Sequence, residues 1–223
     1  TSDNYAIDAK APTATLVSTG TLPNTGSATV ASSETGTAYL VSDSVNVTTL
    51  ADITGAADQY WNSASIASAK TNLSLALSGL ADGSYHLYTV DAAGNLSLKS
   101  TGSIAIEGTP PTIKSVAITS ASGIQNNTLN AGDVVTVTVT MSEVVTVSGT
   151  PQLGLNIGGT TVQASYSDGS GTDHLTFTYT FQAGQTDANG ISIDADKLSL
   201  NNGSIKDAAG NIAVLHHTAV SDN

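Results

Sequence analysis

The 223-residue chain has no cysteine and no arginine, 4% aromatic residues and only 11% charged ones. The missing cysteines exclude a disulfide framework, a zinc ribbon and a thiol nucleophile. Six basic side chains, all lysine, stand against 18 acidic ones, for a net charge of −12. Such a chain lacks the cations that neutralise phosphate, which excludes nucleic acid and an anionic membrane surface as partners. It has no apolar run long enough to cross a bilayer and no charged-then-apolar leader at its start. The expectation is a soluble chain that is a mature or excised fragment.

What the chain does contain is threonine, serine, glycine, alanine and valine, the composition of short strands and turns. The 39% hydrophobic content and clear alternation exclude disorder. Val135, Val137, Val139 and Met141 alternate with Thr136, Thr138 and Thr140, and Leu175, Phe177, Tyr179 and Phe181 alternate with Thr176, Thr178 and Thr180. A period of two puts each apolar set on one face of a strand, and residues branched at Cβ suit a pleated surface. Shorter runs predict strands at 13–17, 28–32, 37–41, 72–77, 84–90, 113–119 and 191–193. One short helical patch is predicted over 49–60, with Thr49 as cap and Leu50, Ile53, Ala56 and Ala57 at helical spacing.

The chain repeats itself. Asp91-Ala92-Ala93-Gly94-Asn95 recurs as Asp207-Ala208-Ala209-Gly210-Asn211, Ser33-Glu34 as Ser142-Glu143, and Ala11-Pro12-Thr13 as Pro110-Pro111-Thr112. An acid stands four residues before each Pro-Thr segment, Asp8 and Glu107. The offset grows along the chain, which predicts two homologous domains, 1–106 and 107–223, the second with longer loops, joined near 105–111 by a segment that Pro110 and Pro111 stiffen. Ser2-Asp3-Asn4 and Ser221-Asp222-Asn223 echo each other, as if a longer array had been cut at equivalent seams. About 100 residues per domain, short strands and no helical layer predict an all-β chain of two tandem immunoglobulin-like β-sandwich domains, with a short helical turn in the first. In that topology the Asp-Ala-Ala-Gly-Asn string occupies the F–G turn, the Ser-Glu pair the B–C loop, and the acid before Pro-Thr the entry of strand A. All three lie at one end of the domain.

Two stretches carry a family resemblance. Glu34 to Val41, Leu80-Ala81-Asp82-Gly83-Ser84-Tyr85 and Asp91 to Asn95 resemble the bacterial Ig-like repeats of giant calcium-dependent, RTX-type surface adhesins. Gly132-Asp133-Val134, Ser142-Glu143-Val144, Gly149-Thr150-Pro151 and Asp207 to Asn211 resemble a second Ig-like repeat type from the same kind of protein. The resemblance implies tandem extender modules of a secreted, extracellular, cell-surface protein used in adhesion and biofilm formation, with calcium rigidifying the seams between modules. It also implies a monomer whose partners are the neighbouring Ig-like repeats of its own chain, with surface ligands bound by other domains and no membrane insertion.

The acidic residues agree with a hard, oxygen-loving cation. Only three of the 18 are glutamates, and Glu34, Glu107 and Glu143 each fall at a predicted domain end or linker entry. Calcium takes six to eight oxygen ligands, and carboxylates on loops supply them. The candidates are Asp8, Glu34, Asp91 and Asn95, with Asp3, at the N-terminal end. At the central seam they are Glu107, Glu143, Asp207 and Asn211, joined by Asp82. Asp194, Asp196 and Asp222 offer half a site at the far end. The competing explanation for each Asp or Asn is turn geometry, since both side chains bond their own backbone. Gly94 and Gly210 are expected as positive-φ turn residues, Tyr85 as a tyrosine corner, Gly158-Gly159 as a hairpin turn, and Trp61 beside Tyr60 as core packing. The four histidines form no metal or catalytic motif, His216 and His217 falling on a final strand with opposite faces, and no Gly-x-Ser-x-Gly elbow exists. The expectation is therefore a non-catalytic, calcium-rigidified extender, against the alternative of a module that grips sugar, peptide or ice.

Overall fold

A computed structural model describes residues 7–222. The chain divides into two compact units, Thr1–Thr109 and Pro110–Asn223. The first is built from β1 (Ala14–Leu16), β2 (Gly20–Leu22), β3 (Ser27–Ser32), β4 (Gly36–Ser42), α1 (Leu50–Thr54), a 3-10 turn at Asp58–Tyr60, β5 (Trp61–Ile66), β6 (Leu73–Ala76), β7 (Gly83–Asp91) and β8 (Ser103–Ile106). One sheet has the order β1-β3-β6 and the other β2-β8-β7-β4-β5. With β1, β3 and β6 as strands A, B and E, and β4, β7 and β8 as C, F and G, this is the immunoglobulin arrangement, with β5 extending the C edge and β2 pairing parallel with β8.

Alternation creates the core between the sheets. Ala28 and Val30 of β3 and Leu75 of β6 meet Ala38 and Leu40 of β4, Tyr85 and Leu87 of β7, and Ile104 and Ile106 of β8 in one buried cluster. Tyr85 is fully buried, its hydroxyl 2.8 Å from the carbonyl oxygen of Ala81 and 3.1 Å from that of Gln59. It closes the turn before β7 as a tyrosine corner. The helical patch is shorter than its apolar spacing predicts. Thr49 caps it, Asp52 accepts the backbone N–H groups of Thr48 and Thr49 at 2.9 and 2.7 Å, and Gly55 ends it. Four bonds from Thr48 and Thr49, backbone and hydroxyl, hold the Asp52 carboxyl down at about 2.

The second unit comprises β9 (Ile113–Ser122), β10 (Val134–Ser148), β11 (Gln152–Ile157), β12 (Thr160–Asp168), β13 (Thr172–Thr180), β14 (Leu198–Ser199) and β15 (Ser204–Lys206). Its strands run β14-β11-β12-β13-β10-β15, with β9 also on β10. The 15-residue β10 joins the layers. Its first part pairs with β9 and β13, the register slips between Thr140 and Val145, and Thr146–Ser148 pair with β15 instead. A bulge that lets one strand serve two layers is how a continuous sheet folds over its own core. Val135, Val137, Val139, Met141, Leu175 and Phe177 face that core together with Leu153, Leu155 and Ile205.

Several expectations need correcting. The 191–193 run makes only isolated bridges, Ser192 with Asn156 and Ile193 with Val220. Ser142 and Glu143 lie inside β10, at its irregularity, not in a loop after it. His216 and His217 sit in irregular chain. There the imidazole of buried His217 accepts the Lys197 N–H at 2.9 Å and meets the Thr218 carbonyl through its other nitrogen, while the His217 backbone N–H donates to Asp196. Trp61 is half-buried on the outer face of the β5–β4 pair, its indole 5.9 Å from the Tyr39 ring and its N–H on the Ala56 carbonyl, and is not part of the central core. The hairpin at Gly158-Gly159 has φ of +56° and +84°, the doubly positive pair of a tight two-residue turn between β11 and β12.

Candidate functional site

The repeated pentapeptide makes the same Asp–Asn turn in both units. Asp91 ends β7, and its carboxylate accepts the backbone N–H of Asn95 at 2.9 Å and the Asn95 side-chain amide at 2.9 Å. Asp207 follows β15 and accepts the N–H of Gly210 at 2.7 Å, the N–H of Asn211 at 2.8 Å and the Asn211 side-chain amide at 2.8 Å. Gly94 and Gly210, at φ of +92° and +100°, let the chain reverse. The Asp–Asn clamp fixes each carboxylate at the turn. The Asn95 donation, the largest influence, holds the Asp91 carboxyl below the usual range.

In the first unit two further acids reach Asp91. Glu34 stands between β3 and β4, where Glu34 N–H donates to the Ser32 hydroxyl at 3.3 Å. Asp8 precedes β1, and its backbone carbonyl accepts from the Asn95 amide at 3.2 Å. One carboxylate oxygen from each of Asp8, Glu34 and Asp91 lies within 4.8 Å of the others. No ion pair among the described residues involves any of the three. Asn95 therefore positions both Asp8 and Asp91 through its amide. Three converging carboxylates with a nearby carbonyl are the donor set of a hard divalent cation.

In the second unit Glu143 and Asp207 face each other, their oxygens also within 4.8 Å. Burial first, then the Asp207 charge, pushes the Glu143 carboxyl above its ordinary value. A carboxylate driven toward its neutral form beside another is electrostatically incomplete, a condition that a cation relieves.

Asp82 accepts the Gly108 N–H at 2.8 Å and the Thr109 hydroxyl at 3.0 Å, and Glu107 accepts the Thr109 N–H at 2.6 Å, so both pin the segment that leaves the first unit. Asp194, Asp196 and Asp222 do not gather: Asp194 lies 4.0 Å from Lys197, Asp196 accepts from His217 and contacts His216, and Asp222 accepts from the Asn189 amide at 2.7 Å. Asp3 lies outside the described residues.

No family model matches the chain, and no curated protein matches it. Among solved structures it is similar to a BSP domain of a biofilm-associated protein (11% identity, TM-score 0.28), spanning 95% of this chain and 29% of that one. It is similar also to a bacterial ice-binding adhesin (17%, TM-score 0.37; 90% of this chain, 58% of that one). A tetra-tandem repeat from the extending region of a large adhesion protein is a third (17%, TM-score 0.27; 95% and 49%). The chain thus spans less than two thirds of each. These structural neighbours are bacterial adhesin domains, matched at low sequence identity.

Proposed function

We propose that the chain is a calcium-rigidified extender segment of a secreted bacterial surface adhesin, which holds binding domains away from the cell. The observation that carries this reading is the meeting of Asp8, Glu34 and Asp91 at one end of the first sandwich, from three separate segments and without a compensating ion pair. Glu143 with Asp207, on the same repeated turn, supports a second calcium position. The proposal extends to Glu107, which stands three residues before Pro110 and would share that ion, so that calcium fixes the angle at the linker. The proposal assigns no catalysis to the chain.

Small-angle scattering tests it. In calcium the particle is longer than in excess chelator at equal ionic strength, and Glu107→Gln with Glu143→Gln shortens it while both units stay folded. An equally extended wild type in chelator overturns the role of calcium. The alternative, a ligand-gripping module, draws on the outward Trp61–Tyr39 pair.

A further inference from the structure

The second unit carries a cleft of about 510 Å³ that has no part in the acidic clusters. Its rim is Asn127, Gln185, Asp187 and Asn189, over a floor that includes Ile157 and Phe181. Both floor side chains are buried. We propose that this cleft binds one or two units of a neutral saccharide. The inference does not rest on the extender reading.

Three loops form the cleft, and each is tied down. Asn126 and Asn127 have φ of +50° and +59°, and Gln125 and Thr128 exchange backbone bonds at 3.0 and 2.9 Å, so Asn127 stands on a tight two-residue hairpin. Asp187 accepts the N–H of Gly158 at 2.9 Å and that of Asn189 at 3.3 Å, which fastens its loop to the β11–β12 turn. Gly158 leaves no room for a side chain against the Thr186 carbonyl. Gln185 accepts from Gln182 N–H at 2.7 Å and donates to the Tyr179 hydroxyl at 2.9 Å. Asn189 is anchored on Asp222. The rim is therefore prebuilt, as small-molecule sites are.

The rim chemistry selects the ligand class. No lysine lines the cleft, so nothing there attracts an anion. Asp187 is its one carboxylate and both its oxygens already accept N–H groups, so it is a poor seat for a divalent ion. Gln185 already uses both its oxygen and its amide, but the carboxamides of Asn127 and Asn189 present a donor and an acceptor side by side, matching vicinal hydroxyls that each donate and accept. The apolar floor matches the C–H face of a pyranose ring.

The test is a two-dimensional amide NMR titration of the whole chain with glucose, galactose, mannose, N-acetylglucosamine, cellobiose and chitobiose. Saturable shifts confined to 125–128, 157–159 and 184–191 are expected for at least one sugar, and are retained in chelator. Asn127→Gly keeps the positive-φ turn and removes one carboxamide, and Asn189→Ala removes another. Each weakens binding by about two- to tenfold, the worth of one net hydrogen bond. No saturable shift with any of the six, shifts centred on Tyr39 and Trp61, or unchanged affinity in both variants overturns the proposal. Absence of sugar binding by the wild type with calcium-dependent extension intact refutes the cleft alone.

Discussion

Replacing Glu34 by Gln is the sharpest probe of the first acidic cluster, because it removes a charge and almost nothing else. The Glu34 side chain makes no ion pair among the described residues, and its backbone bond to Ser32 survives the change. If the three-carboxylate site binds calcium with an extracellular-type dissociation constant of about 0.1–1 mM, about 10 mM calcium stabilises the first unit by roughly 1.4–2.7 kcal/mol. Losing one of three carboxylates weakens binding about tenfold, which removes about 1 kcal/mol of that gain. For a domain of this size the loss lowers the melting midpoint in calcium by about 4–8 °C. In chelator the sign reverses, since Glu34→Gln then relieves repulsion with Asp8 and Asp91 and leaves the midpoint unchanged or higher. The only tryptophan, Trp61, lies in the first unit, so its fluorescence follows that unit alone. A variant that melts lower by the same amount in calcium and in chelator refutes the metal role and makes Glu34 structural. Wild-type protein with one midpoint in both buffers refutes it more directly.

Glu143→Gln repeats this inversion in the second unit, with a pH signature read by circular dichroism melts. Because the Glu143 carboxyl is held above its unfolded value, its contribution in chelator is fully present at pH below the unfolded value and is lost as pH rises through the folded one, so the variant flattens that decline. Tyr85→Phe takes a donor from the partly buried Ala81 carbonyl, while the Gln59 carbonyl keeps the Ala81 N–H, and costs about 1–2 kcal/mol by denaturant titration. A loss well below that would mean water replaces the hydroxyl.

The fold was legible where alternation was strong and silent where it was not. Alternation with threonine marks the first half of β10 (Val135, Val137, Val139, Met141) and the second half of β13 (Leu175, Phe177, Tyr179), and the tyrosine corner and glycine hairpin are local chemistry that sequence states directly. β5 escapes because Trp-Asn-Ser-Ala-Ser-Ile buries only Ile66 fully, and β2 and β15 because three residues carry no period. β11 had a signal, Leu153, Leu155 and Ile157 two apart, that Gly154 and the preceding Pro151 obscured. The bulge of β10 is invisible for a different reason: Val144 and Val145 are chemically alike, yet Val145 is buried and Val144 is 59% exposed. Only tertiary pairing with β15 and Thr172 decides which turns inward.

The candidate site shows the same division between local and tertiary information. The Asp-Ala-Ala-Gly-Asn string encodes its own turn, since Asp accepts from the backbone and the Asn amide, and Gly supplies the reversal. Turn geometry and cation binding are thus not rival explanations for Asp91 and Asp207. The Asn clamp uses some lone pairs of each carboxylate and holds the rest in one direction, which is the orientation a loop-borne ligand needs. What the string does not encode is its company. Asp8 and Glu34 reach Asp91 because strands A, B and F of an immunoglobulin-like sandwich bring their connections to one end, and because Asn95 also holds the Asp8 carbonyl. Changing Asn95 therefore disturbs both Asp8 and Asp91, whereas changing Glu34 removes one carboxylate and leaves the other two held in place.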